Sequence, residues 1–183
     1  MIYRRYIDDL PLTKIELDLG FCMKEVWRKL SCSDILDAER EVLYLLIHNK
    51  LPTKERIFRI NKIQEPYCDF CMETLGAVIS DRYHVFCACL RISETWMEVK
   101  AMIANLLPGD NVMNDDLDLI TLQFPKGKYD EEIVWIIAAY LSWVWRECVN
   151  GGVTALDKRK FFGYLKFKFK RDQTGAKRPL CLI

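Results

Sequence analysis

PYCDFC at residues 66–71 and YHVFCAC at residues 83–89 are the two segments that decide the fold of this chain. The first segment places Cys68 and Cys71 on one tight turn, and the second supplies His84 and a later cysteine from another element. Two thiolates on a turn, joined by an imidazole and a further thiolate, make up the four-coordinate set that zinc prefers. The sequence therefore predicts a metal site.

Five candidate ligands compete for the four positions around such an ion. The preferred set is Cys68, Cys71, His84 and Cys89, and Cys87 is an alternative fourth ligand because either spacing from His84 is feasible. Three thiolates and a neutral imidazole leave no open position for water, so the predicted Zn²⁺ is structural and not catalytic. The competing interpretation is a group of unligated core side chains, since free cysteine is among the most buried residue types.

Length and composition predict a folded protein. With 183 residues, of which 51% are hydrophobic, the chain can bury a core as one domain or as two small ones. It has eight cysteines and no signal-peptide pattern at its N-terminus. These features predict an intracellular location, in the cytoplasm or nucleus, where clustered cysteines bind metal more often than they form disulfides.

The formal net charge of +1 conceals an uneven distribution of charged residues. Residues 151–183 hold nine Lys or Arg and two Asp, whereas residues 101–132 hold seven acidic residues and two Lys. A basic segment can contact the phosphates of a nucleic acid, although a run of lysines is more often a solvated face. Because aromatic residues alternate with these lysines, we expect RNA or DNA as a partner.

Apolar residues recur at helical spacing in several segments. Helices are predicted over residues 21–30, 35–49, 54–59, 93–107, 130–149 and 158–171. The expected N-caps are Ser33 or Asp34, Thr53 and Asp157, and the expected stops are Pro108-Gly109 and Gly151-Gly152. The predicted fold is mainly α: a small helical domain built around a CCHC zinc-binding turn, with a buried Trp-rich helix and a basic amphipathic segment towards the C-terminus.

The same pattern predicts how the chain is divided. The predicted parts are an irregular lead-in (1–20), a helical zinc-binding module (21–107), an acidic loop (108–129), a C-terminal helical segment that packs on the module (130–171) and a basic tail (172–183). Residues 133–145 are uncharged, but a bilayer span needs roughly 20 apolar residues. We therefore expect this helix to be buried on nearly all sides, and no membrane partner.

The segment 158–171 fits two kinds of secondary structure. Residues 165–170 alternate between apolar and basic side chains, as in a half-buried strand. The residues Phe161, Phe162, Leu165 and Phe169 nevertheless lie on one face of a helix, and two helical turns precede the alternation. A helix is therefore predicted, with its lysines gathered on one surface.

The cysteine segments belong to a longer pattern that resembles a known family. LPTKER at residues 51–56 precedes the Cys68 turn, and Tyr83-His84-x-Phe86-x-x-Cys89 is followed by Trp96. This order resembles the zinc-binding domain at the C-terminal end of reverse transcriptases from non-LTR, LINE-type retrotransposons. The resemblance covers approximately Lys24 to Lys100. It implies that Cys89 is the fourth ligand, and it places Cys87 where the family has a variable residue.

A polymerase active site is not expected in this chain. Tyr6-Ile-Asp-Asp9 resembles the Tyr-x-Asp-Asp motif of a reverse-transcriptase palm, in which two carboxylates coordinate catalytic metal ions. Only five residues precede it, whereas a palm needs an earlier strand and a third carboxylate. Since no nucleophile is placed beside a base elsewhere, we predict no catalytic residues and no enzyme activity. The remainder of a reverse transcriptase is then an expected partner.

Two classes of function remain, together with a third possibility. The first is a zinc-stabilised nucleic-acid-binding module, whose predicted contact residues are Lys54, Arg56, Arg59, Lys166, Lys168, Lys170 and Arg171. The second is a zinc-stabilised protein-interaction domain that binds no nucleic acid. The third is an inactive, transposon-derived relic that folds without an activity of its own.

Overall fold

The structure, a computed structural model, describes residues 23–31, 35–107, 115–150 and 156–172, without the side chains of residues 149, 150 and 169–172. This part of the chain is mainly helical, as predicted, and it contains no strand beyond an isolated bridge between Tyr67 and Ile79. The elements are α1 (Met23–Leu30), α2 (Asp37–Ile47), α3 (Lys54–Arg59), α4 (Asp69–Leu75), a π-helical turn (His84–Ala88), α5 (Ser93–Ala104), α6 (Asp116–Ile120), α7 (Asp130–Asn150) and α8 (Lys158–Asp172).

Helix α7 forms the centre of the core, as its run of apolar residues predicts. Every residue from Ile133 to Leu141 is buried, and α1, α2, α5 and α8 all pack against this helix. The hydroxyl of Tyr140 donates a hydrogen bond of 2.7 Å to the carbonyl of Phe86, which fixes the π-helical turn to α7. Within the described ranges, no helix combines the length and the apolar composition needed to cross a bilayer.

The predicted caps of α3 and α8 are confirmed. Thr53 Oγ1 accepts a hydrogen bond from the Arg56 N–H at 3.4 Å, and the Asp157 carboxylate accepts one from the Arg159 N–H at 2.9 Å. Each oxygen satisfies an amide that has no partner within the first helical turn. These two polar residues therefore set where their helices begin.

Helix α2 begins differently from the prediction. Its first turn is preceded by Leu36, whose N–H donates to the Glu39 carboxylate at 3.1 Å. The leucine side chain accepts no hydrogen bond, so the capping contact comes from the Glu39 side chain within the first turn of the helix. The predicted caps Ser33 and Asp34 lie outside the described residues. So do the lead-in 1–20 with its Tyr6-Ile-Asp-Asp9, the stops Pro108-Gly109 and Gly151-Gly152, and all of the tail 172–183 except its first residue.

The prediction of a loop over residues 108–129 is wrong for part of that range. Asp116–Ile120 form helix α6, which begins where the Asp115 carboxylate accepts the Leu117 N–H at 2.8 Å. Leu119, Ile120, Leu122 and Phe124 are buried. Acidic residues outnumber basic ones in this range, four to two, and the apolar run is too short to show a helical period.

The prediction that the α8 lysines share one exposed surface is also wrong. Lys168 is buried, whereas the neighbouring Phe167 is 64% exposed. Positions 161, 165 and 168 are spaced i, i+4 and i+7, so Lys168 falls on the face that carries the buried Phe161 and Leu165. In helix α8, Lys168 therefore faces the core and Phe167 faces solvent.

Candidate metal centre

The π-helical turn positions one half of the predicted ligand set. The Cys89 N–H donates to the carbonyl of His84 at 2.8 Å, a hydrogen bond that closes a turn over five residues. The Asp81 carboxylate accepts the His84 N–H at 2.7 Å and fixes the start of the turn. His84 and Cys89, which stand five positions apart, are thereby brought to the same side of the chain.

A short bridge and the start of α4 position the other half. The Cys68 N–H donates to the Val78 carbonyl at 2.9 Å, and the Ser80 N–H donates to the Pro66 carbonyl at 2.8 Å. Cys68 immediately precedes α4, and Cys71 lies in the first turn of that helix. The start of α4 therefore presents the sulfur atoms of Cys68 and Cys71 towards the π-helical turn.

Cys68, Cys71, His84 and Cys89 converge in what we call the metal cluster. The Cys89 Sγ lies 3.8 Å from the Cys68 Sγ and 3.7 Å from the Cys71 Sγ. The four potential ligand atoms all lie within 4.8 Å of one another. A disulfide needs a separation of about 2.05 Å, so these cysteines are free thiols, and one metal ion could contact all four residues.

The groups of the metal cluster perturb one another. The hydrogen bond with the Cys89 sulfur lowers the pKa of Cys68, with a further contribution from His84, and the same contact raises the pKa of Cys89. Nε2 of His84 is buried, and none of the described residues gives it a hydrogen-bond partner. Soft sulfur ligands and a buried imidazole form a donor set suited to a transition metal, so the residues present fit a bound ion.

Cys87, the alternative fourth ligand, lies outside the metal cluster. Its side chain is buried in the core, and this burial raises the pKa of its thiol. It stands three residues after His84, inside the π-helical turn, whereas the residue that closes the turn is Cys89. A π-helical turn contains one residue more than an α-helical turn, and the spacing of the ligands alone did not reveal it.

The chain around the first two cysteines has almost no apolar core of its own. Between Lys54 and Ile79, all of which the structure describes, Cys71 is the only buried residue. The π-helical turn, in contrast, contains the fully buried Phe86 and is fixed to α7. The metal cluster therefore joins a thinly packed segment to the main core.

The predicted nucleic-acid contacts on α3 are at the surface but have partners. Lys54 Nζ lies 2.5 Å from the Asp69 carboxylate. Arg59 forms an ion pair of 2.5 Å with Glu55 on the same helix. Arg56 donates to the Asn49 carbonyl at 2.5 Å, and its side chain is exposed.

The predicted contacts on α8 have different surroundings. Lys166 is exposed, as a phosphate contact requires. Lys168 is buried against Glu39, so the structure contradicts its prediction as a nucleic-acid contact. The side chains of Lys170 and Arg171 lie outside the described residues.

A cavity of about 260 Å³ adjoins the metal cluster. Phe70, Arg91 and Trp145 line it together with members of the metal cluster. The place of these residues beside the site could not be predicted from the sequence, because they come from three separate parts of the chain. The only signal near them was the position of Phe70 inside the Cys-x-x-Cys segment.

No protein-family model matches the chain, and neither does any curated protein or solved structure.

Proposed function

We propose that this chain is a zinc-stabilised nucleic-acid-binding module of the type found in retrotransposon reverse transcriptases, without a polymerase active site of its own. The observation that carries the proposal is the convergence of Cys68, Cys71, His84 and Cys89. The order of these residues, with LPTKER upstream, is also the basis of the resemblance to that family.

The sulfur separations are compatible with a bound zinc ion. A Zn–S bond is about 2.3 Å long, and the edge of a tetrahedron is about 1.63 times the distance from its centre to a corner, which gives roughly 3.8 Å between sulfurs. The separations from the Cys89 Sγ, 3.8 Å to Cys68 and 3.7 Å to Cys71, agree with this value. When bound, the ion would supply a cross-link between α4 and the π-helical turn. Four protein ligands leave no open position, as is typical of a structural site.

Exposed cations support the nucleic-acid part of the proposal. Arg56 and Arg59 on α3 and Lys166 on α8 are exposed, and the sequence places Lys170 and Arg171 further along α8. The Arg59–Glu55 pair is exposed, and such pairs contribute only about 0–1 kcal/mol, so a phosphate can replace the carboxylate at little cost. Lys168 is no longer part of the proposed contact set.

A specific observation favours the second candidate, a zinc-stabilised protein-interaction domain. Several large apolar side chains are exposed on or beside the two short helices that flank the metal cluster: Phe58, Ile60, Met72, Leu75 and Ile79. Where such side chains form a contiguous patch, the patch commonly marks a surface that another protein covers. In this case the partner is the remainder of a reverse transcriptase, and the purified chain has no affinity for RNA or DNA. A transposon-derived relic would bind zinc but neither kind of partner.

Metal content and oligonucleotide affinity together test the proposal. Protein purified without chelator is expected to contain about one zinc per chain by elemental mass spectrometry. Cys68→Ser is expected to lose the ion, whereas Cys87→Ala, a matched change outside the metal cluster, keeps it. Affinity for single-stranded RNA and DNA is then measured against salt, with an expected log-log slope of roughly −0.7 per phosphate contact. Folded protein without zinc overturns the metal site, and negligible affinity at low salt overturns the nucleic-acid function.

A further inference from the structure

The cavity beside the metal cluster is larger than a metal ion needs. Its volume is about 260 Å³, and Thr53, Lys54 and Trp145 line it together with members of the metal cluster. Pockets for drug-sized ligands have volumes of about 300–1,000 Å³. This cavity is just below that range, so its size suits a single planar ring system.

Two large aromatic side chains, Phe70 and Trp145, take part in the cavity lining. Phe70 comes from α4 and Trp145 from α7, and both are partly buried. Trp145 packs on Phe86 with ring centroids 6.3 Å apart, and the guanidinium carbon of Arg91 lies 6.0 Å from the Phe70 centroid. Aromatic faces and guanidinium planes are the surfaces on which unpaired bases stack.

The charges around the cavity distinguish its interior from its edge. Three thiolates and a divalent ion would give the metal cluster a net charge of about minus one, which disfavours a phosphate inside and favours a neutral ring. The cationic side chains in the lining are Lys54 and Arg91. Lys54 is at present paired with the exposed Asp69, and an exposed pair of this kind exchanges easily for a phosphate. The hydroxyls of Thr53 and Ser80 provide polar groups for a base edge.

We propose that this cavity receives one unpaired base of a single-stranded nucleic acid, which stacks on Trp145 and Phe70 while Lys54 and Arg91 contact the adjacent phosphate. The inference rests on the proposed nucleic-acid function and adds a specific site to it. Because stacking does not depend on hydrogen-bond readout, the site accepts different bases.

An abasic oligonucleotide isolates the contribution of the base. The probe is a single-stranded oligouridylate of about 12 nucleotides, compared by fluorescence anisotropy with an abasic strand of equal length that keeps every phosphate. The full zinc-loaded chain is expected to bind the intact strand about tenfold more tightly. Trp145→Leu and Phe70→Leu each remove most of that difference. Trp27→Leu, a matched change at a tryptophan outside the cavity lining, keeps it.

The intrinsic fluorescence of tryptophan gives a second measurement if Trp145→Leu does not fold. Trp145→Phe keeps an aromatic ring but removes the fluorophore that the base would quench. The oligouridylate is therefore expected to quench the wild-type chain more strongly than Trp145→Phe, with the affinity changed by less than about threefold. Equal, salt-dependent affinity for the intact and abasic strands overturns the base site and leaves the proposed function standing. Failure to bind either strand at low salt overturns both.

Discussion

Lys168 Nζ lies 2.5 Å from Glu39 Oε2, and the two side chains are 5% and 1% exposed. The pair joins α8 to α2, and the hydroxyl of Tyr164 also donates to Glu39 Oε1 at 3.1 Å. Lys168 Nζ lies 4.8 Å from the centroid of the Trp135 ring on α7. Helices α2, α7 and α8 are therefore linked around one buried carboxylate.

Lys168→Met is expected to lower the free energy of unfolding by about 3–5 kcal/mol, because it leaves the Glu39 carboxylate buried without its cation. Lys166→Met, on the exposed side of the same helix, is expected to change it by less than about 0.5 kcal/mol. Urea denaturation measures both values. The double variant Glu39→Leu/Lys168→Met removes both charges and is expected to recover much of the loss. Equal stability of the two single variants would show that the pair contributes little.

Loss of a metal ligand is expected to release one segment and not the whole chain. Cys71 is the only buried side chain between Lys54 and Ile79, so Cys71→Ser would remove both a ligand of the proposed zinc ion and the packing of that segment. Its amides are expected to exchange with solvent much faster, while those of α7 stay protected within the intact core. Hydrogen exchange followed by mass spectrometry measures the two regions separately.

Cys87→Ala is the matched control for that experiment, because Cys87 is buried outside the metal cluster. It is expected to keep zinc and the protection of residues 54–79, and to lower the overall stability by about 1 kcal/mol through lost packing. Loss of protection in α7 after Cys71→Ser would contradict the local release and show that the metal supports the entire fold.

The parts of the fold that the sequence predicts are those with a strong local signal. The uncharged run from Ile133 to Trp145 is long enough to indicate a buried helix. The caps Thr53 and Asp157 accept hydrogen bonds from amides no more than three residues further along the chain. The spacing of the Cys and His residues also predicts a metal site, with Cys89 preferred and Cys87 left open as the fourth ligand, and the structure brings the preferred four residues together. In each case the residues that determine the feature lie within a short stretch of chain.

The features that the sequence did not reveal depend on distant partners. Glu39 and Lys168 are separated by 129 positions, and nothing in the local charge pattern identifies one as the partner of the other. The carbonyls of Leu122 and Phe124 accept hydrogen bonds from Lys29, again from a remote helix. A lysine in an alternating basic segment is predicted to be a solvated cation unless its long-range partner is known.

Tyr140→Phe is expected to change how stability depends on pH. Burial raises the pKa of Tyr140 well above its ordinary value of 10. A raised pKa in the folded state gives stability that is fully present below pH 10 and is lost as the pH rises through the folded pKa. The wild-type chain is therefore expected to lose stability more steeply above pH 10 than Tyr140→Phe.

At neutral pH the same variant is expected to be less stable by about 1–3 kcal/mol, because the buried Phe86 carbonyl loses its donor. Tyr129→Phe, at a partly exposed position, is the control, and denaturant unfolding between pH 7 and pH 11 gives both quantities. Parallel pH profiles for the wild type and Tyr140→Phe would show that the hydroxyl titrates alike in the folded and unfolded states.

Arg56→Met and Arg59→Met test whether α3 contacts phosphates. Each variant is expected to weaken binding to all single-stranded sequences to a similar extent, and to make the salt slope shallower by about 0.7, because one phosphate contact is lost. Lys24→Met removes an exposed cation from α1, outside the proposed contact set, and is expected to leave the slope unchanged. Fluorescence anisotropy at several salt concentrations gives the slopes. If Arg56→Met and Arg59→Met keep the wild-type slope as the control does, α3 is not part of the nucleic-acid interface. The exposed apolar residues around α3 then favour the protein-interaction alternative.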